Sequence, residues 1–534
     1  METATKTVVT FPFRLALLLA AVCGFIALAF EMVWARLFNF ASASLAPGFA
    51  AMLGGYLFGL ALGALFSQRW QRLNAPADPE PWRALAGLIV TSNIVGFLVP
   101  PVASWLVLTS SWVRFIPLVM VSSALLGTIL PLLCHLVISA DRRAGARMSY
   151  IYLANIIGSG AGSLITGFVL MDWLKLWQIA AGLLLGGVLV SAVLLFFLRA
   201  VRPADCGLWI IGIGLACSSP WLHDGFYERL QLKDDYQWGY RFARVVESRH
   251  GVITVTPTNL FVYGNGAYDG VIDTRLKFGN GLIRPYFISA LHPDPEEVLV
   301  IGMSAGAWTQ IFVHHPQVKR VTVVEISHGY LKLVREYPQV SSLLTNPRVE
   351  IHIDDGRRWL RRNPDRHFDV IVMNTTFYWR EFASALLSRE FLELTKQHLK
   401  PGGLVMWNCT ESPRAIRTGL EVFPCTLMVA NNCVGSVTPL VPDRERWAQT
   451  LRNYRIDSKP VFDLTAPEGR QNLENVLAFL DMGTNGNYRV MYRPEMMQAY
   501  GAAKVITDDN LGDEYEPSLK ALLQALLSAF RPSS

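Results

Sequence analysis

Along roughly the first 222 residues, apolar side chains run in blocks too long and continuous to form one face of a surface helix. Windows of about 20 almost uncharged residues, enough to cross a hydrocarbon layer of about 30 Å, lie near 15–35, 45–66, 84–108, 115–139, 149–171 and 176–198. They predict six spanning helices. A seventh apolar run, 207–222, is shorter and broken by Ser218, Ser219 and Pro220, so it either crosses or lies at an interface. Beyond it the period changes. Over 242–276, β-branched and polar residues alternate between Asn and Gly turns, which predicts the hairpins of a small antiparallel sheet. From about 296, short β-rich runs (EVLVIG, RVTVVE, VEIHI, FDVIVMN, GLVMWN) alternate with helical stretches at 305–315, 327–337 and 388–399. That alternation predicts a doubly wound, Rossmann-like parallel sheet. The expected architecture is an α-helical membrane bundle (1–222), a small β-hairpin unit (223–285) and a Rossmann-like α/β unit (286–534).

Composition agrees: 51% hydrophobic and 17% charged residues in a chain of 534 is richer in apolar side chains than a soluble protein. The net charge of +6 is concentrated beside the spans. Arg69, Arg72 and Arg83 follow the second, Arg142, Arg143 and Arg147 the fourth, and Arg199 and Arg202 the sixth, whereas the alternate loops carry only Arg36, Arg114 or Lys175. Positive loops stay inside, so the amino terminus is expected in the cytoplasm. Six spans put the C-terminal half there too, the side the sequence favours; seven put it outside. Charge spent on orientation leaves no basis for nucleic-acid binding. The first apolar run is of full spanning length and holds Glu31 near its end instead of a small-residue cleavage site, which argues against a cleaved signal. Seven cysteines form no CxxC pair and no His/Cys ligand spacing, so no zinc or other metal site is expected; Cys23, Cys134 and Cys217 read as small buried hydrophobes. Gly55, Gly59 and Gly63, and Gly158 and Gly162, recur every fourth residue and predict close helix packing. Glu31 and Arg36 are ionisable groups near a span, either solvated at its edge or functional.

The candidate chemistry sits at strand ends, where doubly wound sheets bind ligands. Gly302 and Gly306 bracket a turn after the first strand, and Ser304 lies between them, so this backbone can approach a ligand closely. Glu325 closes the second strand about 20 residues on, placed to accept hydrogen bonds from ribose hydroxyls. Asp354, Asp355 and Gly356 follow the third, with Asp355 placed to accept from an adenine amino group. No GxxxxGK[ST] sequence occurs, which disfavours phosphate-cradling chemistry.

In this order and spacing, VLVIGMSAG, VVEIS, NPRVEIHIDDG, FDVIVMN and LKPGGLVMWN resemble the polyamine aminopropyltransferases, spermidine synthase in particular, over about residues 242–440. The resemblance implies a donor, decarboxylated S-adenosylmethionine, that passes an aminopropyl group to an amine and leaves as methylthioadenosine. It also implies a carboxylate after the fourth strand that takes the amine proton. Asn374 stands at that position, and an amide cannot act as the base. Phe377 occupies the second acidic position, Ala305 replaces the Asp of the Gly-rich loop, and the family's Tyr-Gln and His-Glu pairs have no counterpart in SRHGV or LIRPYF. Arg284, in the latter, is either a surface residue or a group that meets a carboxylate, which S-adenosylmethionine has and its decarboxylated form lacks. Asn374, Tyr378, Glu381 and Asp269 are the candidates for the reacting end. The segment TDDNLGDEYE, and EMVWARLF in the first span, resemble bacterial proteins that join a membrane module to such a domain, which implies a multi-pass protein of the bacterial cell membrane. The expected partners are the lipid bilayer and a small nucleoside substrate, with a homodimer allowed for. Three activities stay open beside alkyl transfer: cyclisation or cleavage of S-adenosylmethionine, methyl transfer, and nucleoside binding by a transporter or sensor.

Overall fold

The computed structural model describes residues 11–71, 79–109, 112–277, 281–374, 377–410, 412–481, 490–510 and 514. Arg72, Thr375, Thr376 and parts of the carboxyl-terminal TDDNLGDEYE segment lie outside them.

Six of the described helices are long and apolar enough to cross a bilayer: α1 (Phe13–Ala41), α2 (Ala46–Gln71), α3 (Pro79–Leu106), α4 (Ile116–Val137), α5 (Ala144–Ile165) and α7 (Leu176–Phe197). A π turn at Thr166–Leu170 carries α5 into the short α6 (Met171–Trp173). The glycine repeats do what their spacing predicts. A Cβ on Gly59 or Gly63 would overlap backbone of α4 at Met120 and Ala124, and one on Gly158 or Gly162 would overlap backbone of α1 at Ala21 and Phe25. Helix backbones therefore touch at these rows, where association in an apolar medium depends on close packing. Cys23 is buried as expected, but Cys217 is exposed on its helix surface.

The seventh apolar run also packs along the bundle. Helix α8 (Pro203–Cys217) starts beside the Arg202–Glu80 ion pair and the bond from Arg83 Nε to Ala200 O, 2.7 Å. It runs antiparallel to α7, with Trp209 Nε1 donating to Ser191 Oγ at 3.1 Å, and reaches the far end at α9 (Ser219–Leu222), where Ser219 Oγ donates to Trp177 O. Fifteen residues of helix cover only about 22 Å, and α9 and α10 (Phe226–Leu232) follow after a bend of 61°, so that this pair is long and apolar enough to cross a bilayer only when taken as one bent span. The bundle's apolar core continues past 222 through Phe226, Tyr227 and Leu230.

This seventh run delivers the chain to the end opposite the arginine-rich loops, and the rest of the protein is built there. Strands β1 (Arg244–Ser248), β2 (Gly251–Val255), β3 (Phe261–Gly264) and β4 (Ala267–Val271) form an antiparallel sheet in sequential order. Its β3–β4 turn is Asn265–Gly266, both at positive φ (46° and 78°), the geometry of a tight hairpin. That turn packs on the Phe40 carbonyl of α1. Arg36 Nη2 donates to Arg249 O at 2.7 Å, Arg249 N to Asp172 Oδ1 at 2.7 Å, and Leu176 N to Glu247 Oε2 at 2.7 Å. Arg36 is therefore a tie between bundle and sheet, and Glu31 is buried inside α1.

The main sheet has the order β14-β10-β11-β9-β8-β5-β6-β7, from β5 (Glu297–Ile301), β6 (Arg320–Glu325), β7 (Val349–Ile353), β8 (Phe368–Met373), β9 (Leu399–Asn408), β10 (Cys425–Val429), β11 (Asn432–Ser436) and β14 (Val490–Tyr492). A two-residue ladder, β12 (Arg455–Ile456) with β13 (Lys459–Pro460), stands apart. The five strands from β9 to β7 are parallel and the remaining three antiparallel. Both faces are covered. Val298, Val300, Val370 and Val372 join one apolar cluster with Phe312 and Trp447, whereas Leu299, Ile301, Ile371 and Met373 join another with Trp359 and Phe391. Burial on two sides is why these strands read as near-continuous apolar runs.

Candidate active site

The site is assembled where β5 and β8 end. After Ile301 the chain turns at Gly302 (φ 86°), whose Cβ would stand 2.7 Å from Asn374 O. Glycine is required there because the loop crosses the end of β8, pinned by Asn374 N donating to Ile301 O at 2.9 Å. Gly306 (φ 79°) opens the helix α12 (Ala307–Val313) beneath Val334 and Leu343. Between them Ser304 is held at φ 50°, and its hydroxyl donates to the Asp269 carbonyl of β4. The small sheet thus closes over the strand ends of the large one.

These residues surround a cleft of about 110 Å³ lined by Asp269, Arg284, Ser304, Trp308, Asn374 and Phe377, among others. It shares Tyr268, Arg284 and Asn431 with an adjoining groove of about 1720 Å³. Asp269 is the one acidic residue among those described around the smaller cleft, and Arg284 the one cation. Burial raises the Asp269 carboxyl above its ordinary range, opposed by Arg380, by the Tyr330 hydroxyl that donates to it, and by Ser304. Arg284 is no loose surface residue. Its Nε donates to Gly281 O at 2.8 Å, its Nη1 to Asn431 Oδ1 at 2.7 Å and Asn432 Oδ1 at 3.1 Å, and its guanidinium lies 5.0 Å over the Trp308 ring.

Glu325 lines neither cavity: Oε2 accepts from Met303 N at 2.7 Å and Ser304 N at 3.4 Å, and Oε1 from Ser327 N at 2.8 Å. It ties down the Gly-rich loop, and burial pushes its carboxyl up to about 7. Asp355 caps the helix α14 (Gly356–Arg362) by accepting from Arg358 N at 2.8 Å, and Asp354 is paired with Arg358. Gly356 is small because a Cβ would stand 2.5 Å from Ile301 Cγ2. Tyr378 packs on the opposite cluster with Leu387 and Phe391, and Glu381 belongs to the bundle contact, its amide donating to Ser44 O at 2.8 Å. Residues 378–384 lie outside the cleft lining and are tied on two sides: Arg380 bridges to Leu45, and Glu514 accepts from Phe382 N at 3.1 Å and Ser384 N at 2.6 Å.

A model of the Spermine/spermidine synthase domain matches residues 287–416, which spans β5 to β9 and the loops just described. The polyamine aminopropyltransferase of Moorella thermoacetica is 35% identical over 212 residues, 38% of this chain and 71% of that protein. The chain belongs to the polyamine aminopropyltransferase family. The chain spans a little over half the length of the first curated relatives it matches, 54% to 59%. Polyamine aminopropyltransferase 2 of Streptomyces coelicolor is 25% identical over 413 residues, 72% of this chain and 71% of that one, a length that reaches from the α/β half into the helical bundle. Among solved structures, a spermidine synthase in complex with the transition-state analogue AdoDATO aligns with 41% of this chain and 80% of its own, at 19% identity and a TM-score of 0.32.

Within the family frame, sequence reasoning missed Trp308, Tyr330, Arg380, Asn431 and Asn432, the residues that position Arg284 and Asp269. One signal was legible: Ala430 (φ 53°) and Asn431 form the two-residue turn between β10 and β11, and Asn432 opens β11. Among the described residues no group of three or more His, Cys, Asp or Glu side chains could hold a metal ion.

Proposed function

We propose that this chain is a membrane-bound, spermidine synthase-like alkyl transferase that binds S-adenosylmethionine or its decarboxylated form and releases methylthioadenosine. The observation that carries the proposal is the convergence of Ser304, Asp269, Asn374 and Arg284 on one cleft at the ends of β5 and β8, where parallel sheets bind ligands. A neutral Asn374 leaves the nucleophile's proton without its usual acceptor. Asp269 is the carboxylate that remains, and its raised proton affinity suits a general base. The Gly-rich loop supplies the floor, with Glu325 and Asp355 meeting the nucleoside once their present backbone bonds are exchanged for it.

A second reading, release of methylthioadenosine with no amine acceptor, is favoured by the three neutral residues Ala305, Asn374 and Phe377 standing where acidic groups would attract a polyamine. Incubating the full chain in detergent with each donor, with and without putrescine, separates the two by the methylthioadenosine formed. Amine-dependent release supports transfer to a polyamine; amine-independent release supports the second reading. No release from either donor contradicts an enzymatic role.

Placement in the membrane is part of the proposal. Arg83 and Arg147 in the first turns of α3 and α5, and Arg142, Arg143, Arg199 and Arg202 in the loops beside them, lie at one end of the bundle, and the α/β half docks on the other. With arginines inside, the α/β half faces out of the cytoplasm, so its donor must be delivered there. The units proposed are those of the sequence, 1–222, 223–285 and 286–534, with α10 joined to the bundle. A membrane-impermeant maleimide should label an engineered cysteine at Trp238 in intact cells; labelling only after lysis contradicts this orientation.

A further inference from the structure

We propose that Cys409 and Cys433 are the site of a reversible disulfide that ties the hairpin turn at Asn431 to the end of β9. The inference goes beyond the transferase reading and does not depend on which donor or acceptor the cleft takes. Seven free cysteines are spread along the chain, and these two meet although 24 positions separate them. β9 and β11 are neighbouring antiparallel strands in which Cys433 stands opposite Trp407, and the ladder runs on through Cys409 N, which donates to Asn431 O at 2.9 Å. Two residues past Trp407, Cys409 falls on the same face of the sheet. The thiols therefore sit diagonally across one strand pair, buried in the apolar layer with Ile416 and Met428. Their sulfurs are 3.1 Å apart, about 1 Å more than a disulfide bond, so little movement separates the pair from a covalent link.

The two thiols are not equivalent. Cys409 lines the groove of about 1720 Å³ beside Thr410 and Asn431, whereas Cys433 lines neither cavity, and burial pushes its thiol well above the usual range. A small oxidant entering the groove meets Cys409 first. With a low-molecular-weight disulfide as oxidant, the Cys409 thiolate bonds to one of its sulfurs and the other leaves as a thiolate. The Cys433 sulfur, giving up its proton, then bonds to Cys409 and expels the second thiolate. Both protein thiols are oxidised, and the small disulfide is reduced to a pair of thiols that take up the protons. The placement outside the cytoplasm proposed above is an oxidising one, but the chemistry itself requires only the pair. The bond reaches the cleft through Asn431, whose carbonyl accepts from Cys409 Sγ at 3.2 Å and whose side chain bonds Thr410 Oγ1 at 2.5 Å and Arg284 Nη1 at 2.7 Å. A disulfide has no S–H, so oxidation removes the first of these bonds while fixing the turn against β9.

The test is to map the pair in the full chain in detergent. The folded protein is treated with oxidised glutathione, remaining thiols are blocked with N-ethylmaleimide in denaturant, and peptides are mapped by mass spectrometry with and without dithiothreitol. A peptide containing Cys409 should appear joined to one containing Cys433, lighter than their sum by the hydrogens lost, and dithiothreitol should separate them. Cys433→Ser should stop the reaction halfway, leaving glutathione on Cys409, and Cys409→Ser should leave Cys433 unmodified. Wild-type protein in which both positions carry maleimide overturns the proposal, a result that needs no variant to fold, as does Cys409 joined to any other cysteine. Glutathione on Cys433 in the Cys409→Ser variant, formed as fast as on Cys409 in Cys433→Ser, overturns the order of attack.

Discussion

Glu325 offers a test of the strand-end geometry that needs no ligand. Its carboxyl is 3% exposed, its oxygens accept from three backbone amides, and its proton affinity is pushed from 4.5 up to about 7, chiefly by burial and only partly offset by those amides. A carboxyl that titrates near 4.5 when unfolded and near 7 when folded favours the folded state in its protonated form by about 3 kcal/mol. The sign follows from the direction: this contribution is fully present below pH 4.5 and is lost as pH rises through 7. Glu325→Gln removes the ionisation while keeping an acceptor beside the loop. Urea unfolding of the detergent-solubilised chain, followed between pH 4.5 and pH 8, should therefore show wild type losing about 3 kcal/mol more than the variant. Other titrating groups cancel in the comparison. Parallel pH profiles for the two proteins would mean that Glu325 ionises as it does in water, and the packed Gly-rich loop described here would be wrong.

The other perturbations are simpler. Asp269→Asn should lower the rate of methylthioadenosine release by about 10²-fold to 10⁴-fold while leaving methylthioadenosine affinity within a factor of a few; unchanged turnover removes Asp269 from the mechanism. Gly63→Leu should separate α2 from α4 and cost about 1–3 kcal/mol or more, read as a lower midpoint of thermal aggregation in detergent. Gly54→Ala, on the same helix but with nothing within 4 Å of its Cβ position, should leave that midpoint unchanged or raise it.

Much of this was legible because it follows from local rules. Rows of glycine at every fourth position met backbone carbonyls as spacing demanded, and strands buried on two faces announced themselves as unbroken runs of Val, Leu and Ile. The seventh run is ambiguous in sequence because α8 is too short to cross alone; in space Ser191 and Trp177 lay it antiparallel along α7. The antiparallel edge formed by β10, β11 and β14 was missed, since nothing local ties 490–492 to 425–429. The contacts these residues make were hidden for a related reason. Periodicity located Glu325 and Asp355 at strand ends but not the amides that now occupy them, and Tyr378 and Glu381 were displaced by a bundle contact more than 300 residues away in the chain, at Ser44 and Leu45. Arg284 could be weighed only once Asn431 and Asn432 were brought to it from the far side of the sheet.

The central claim is that an adenosyl donor binds at the carboxyl ends of β5, β6 and β8. Photolabelling the full chain with an azidoadenosine analogue of S-adenosylmethionine, followed by peptide mapping, tests it most directly. Label should appear on peptides containing 302–306, 325–327 or 353–357 and disappear when excess methylthioadenosine is added. Label confined to the helical bundle or to the outer face of the sheet, or label that methylthioadenosine does not displace, would contradict it.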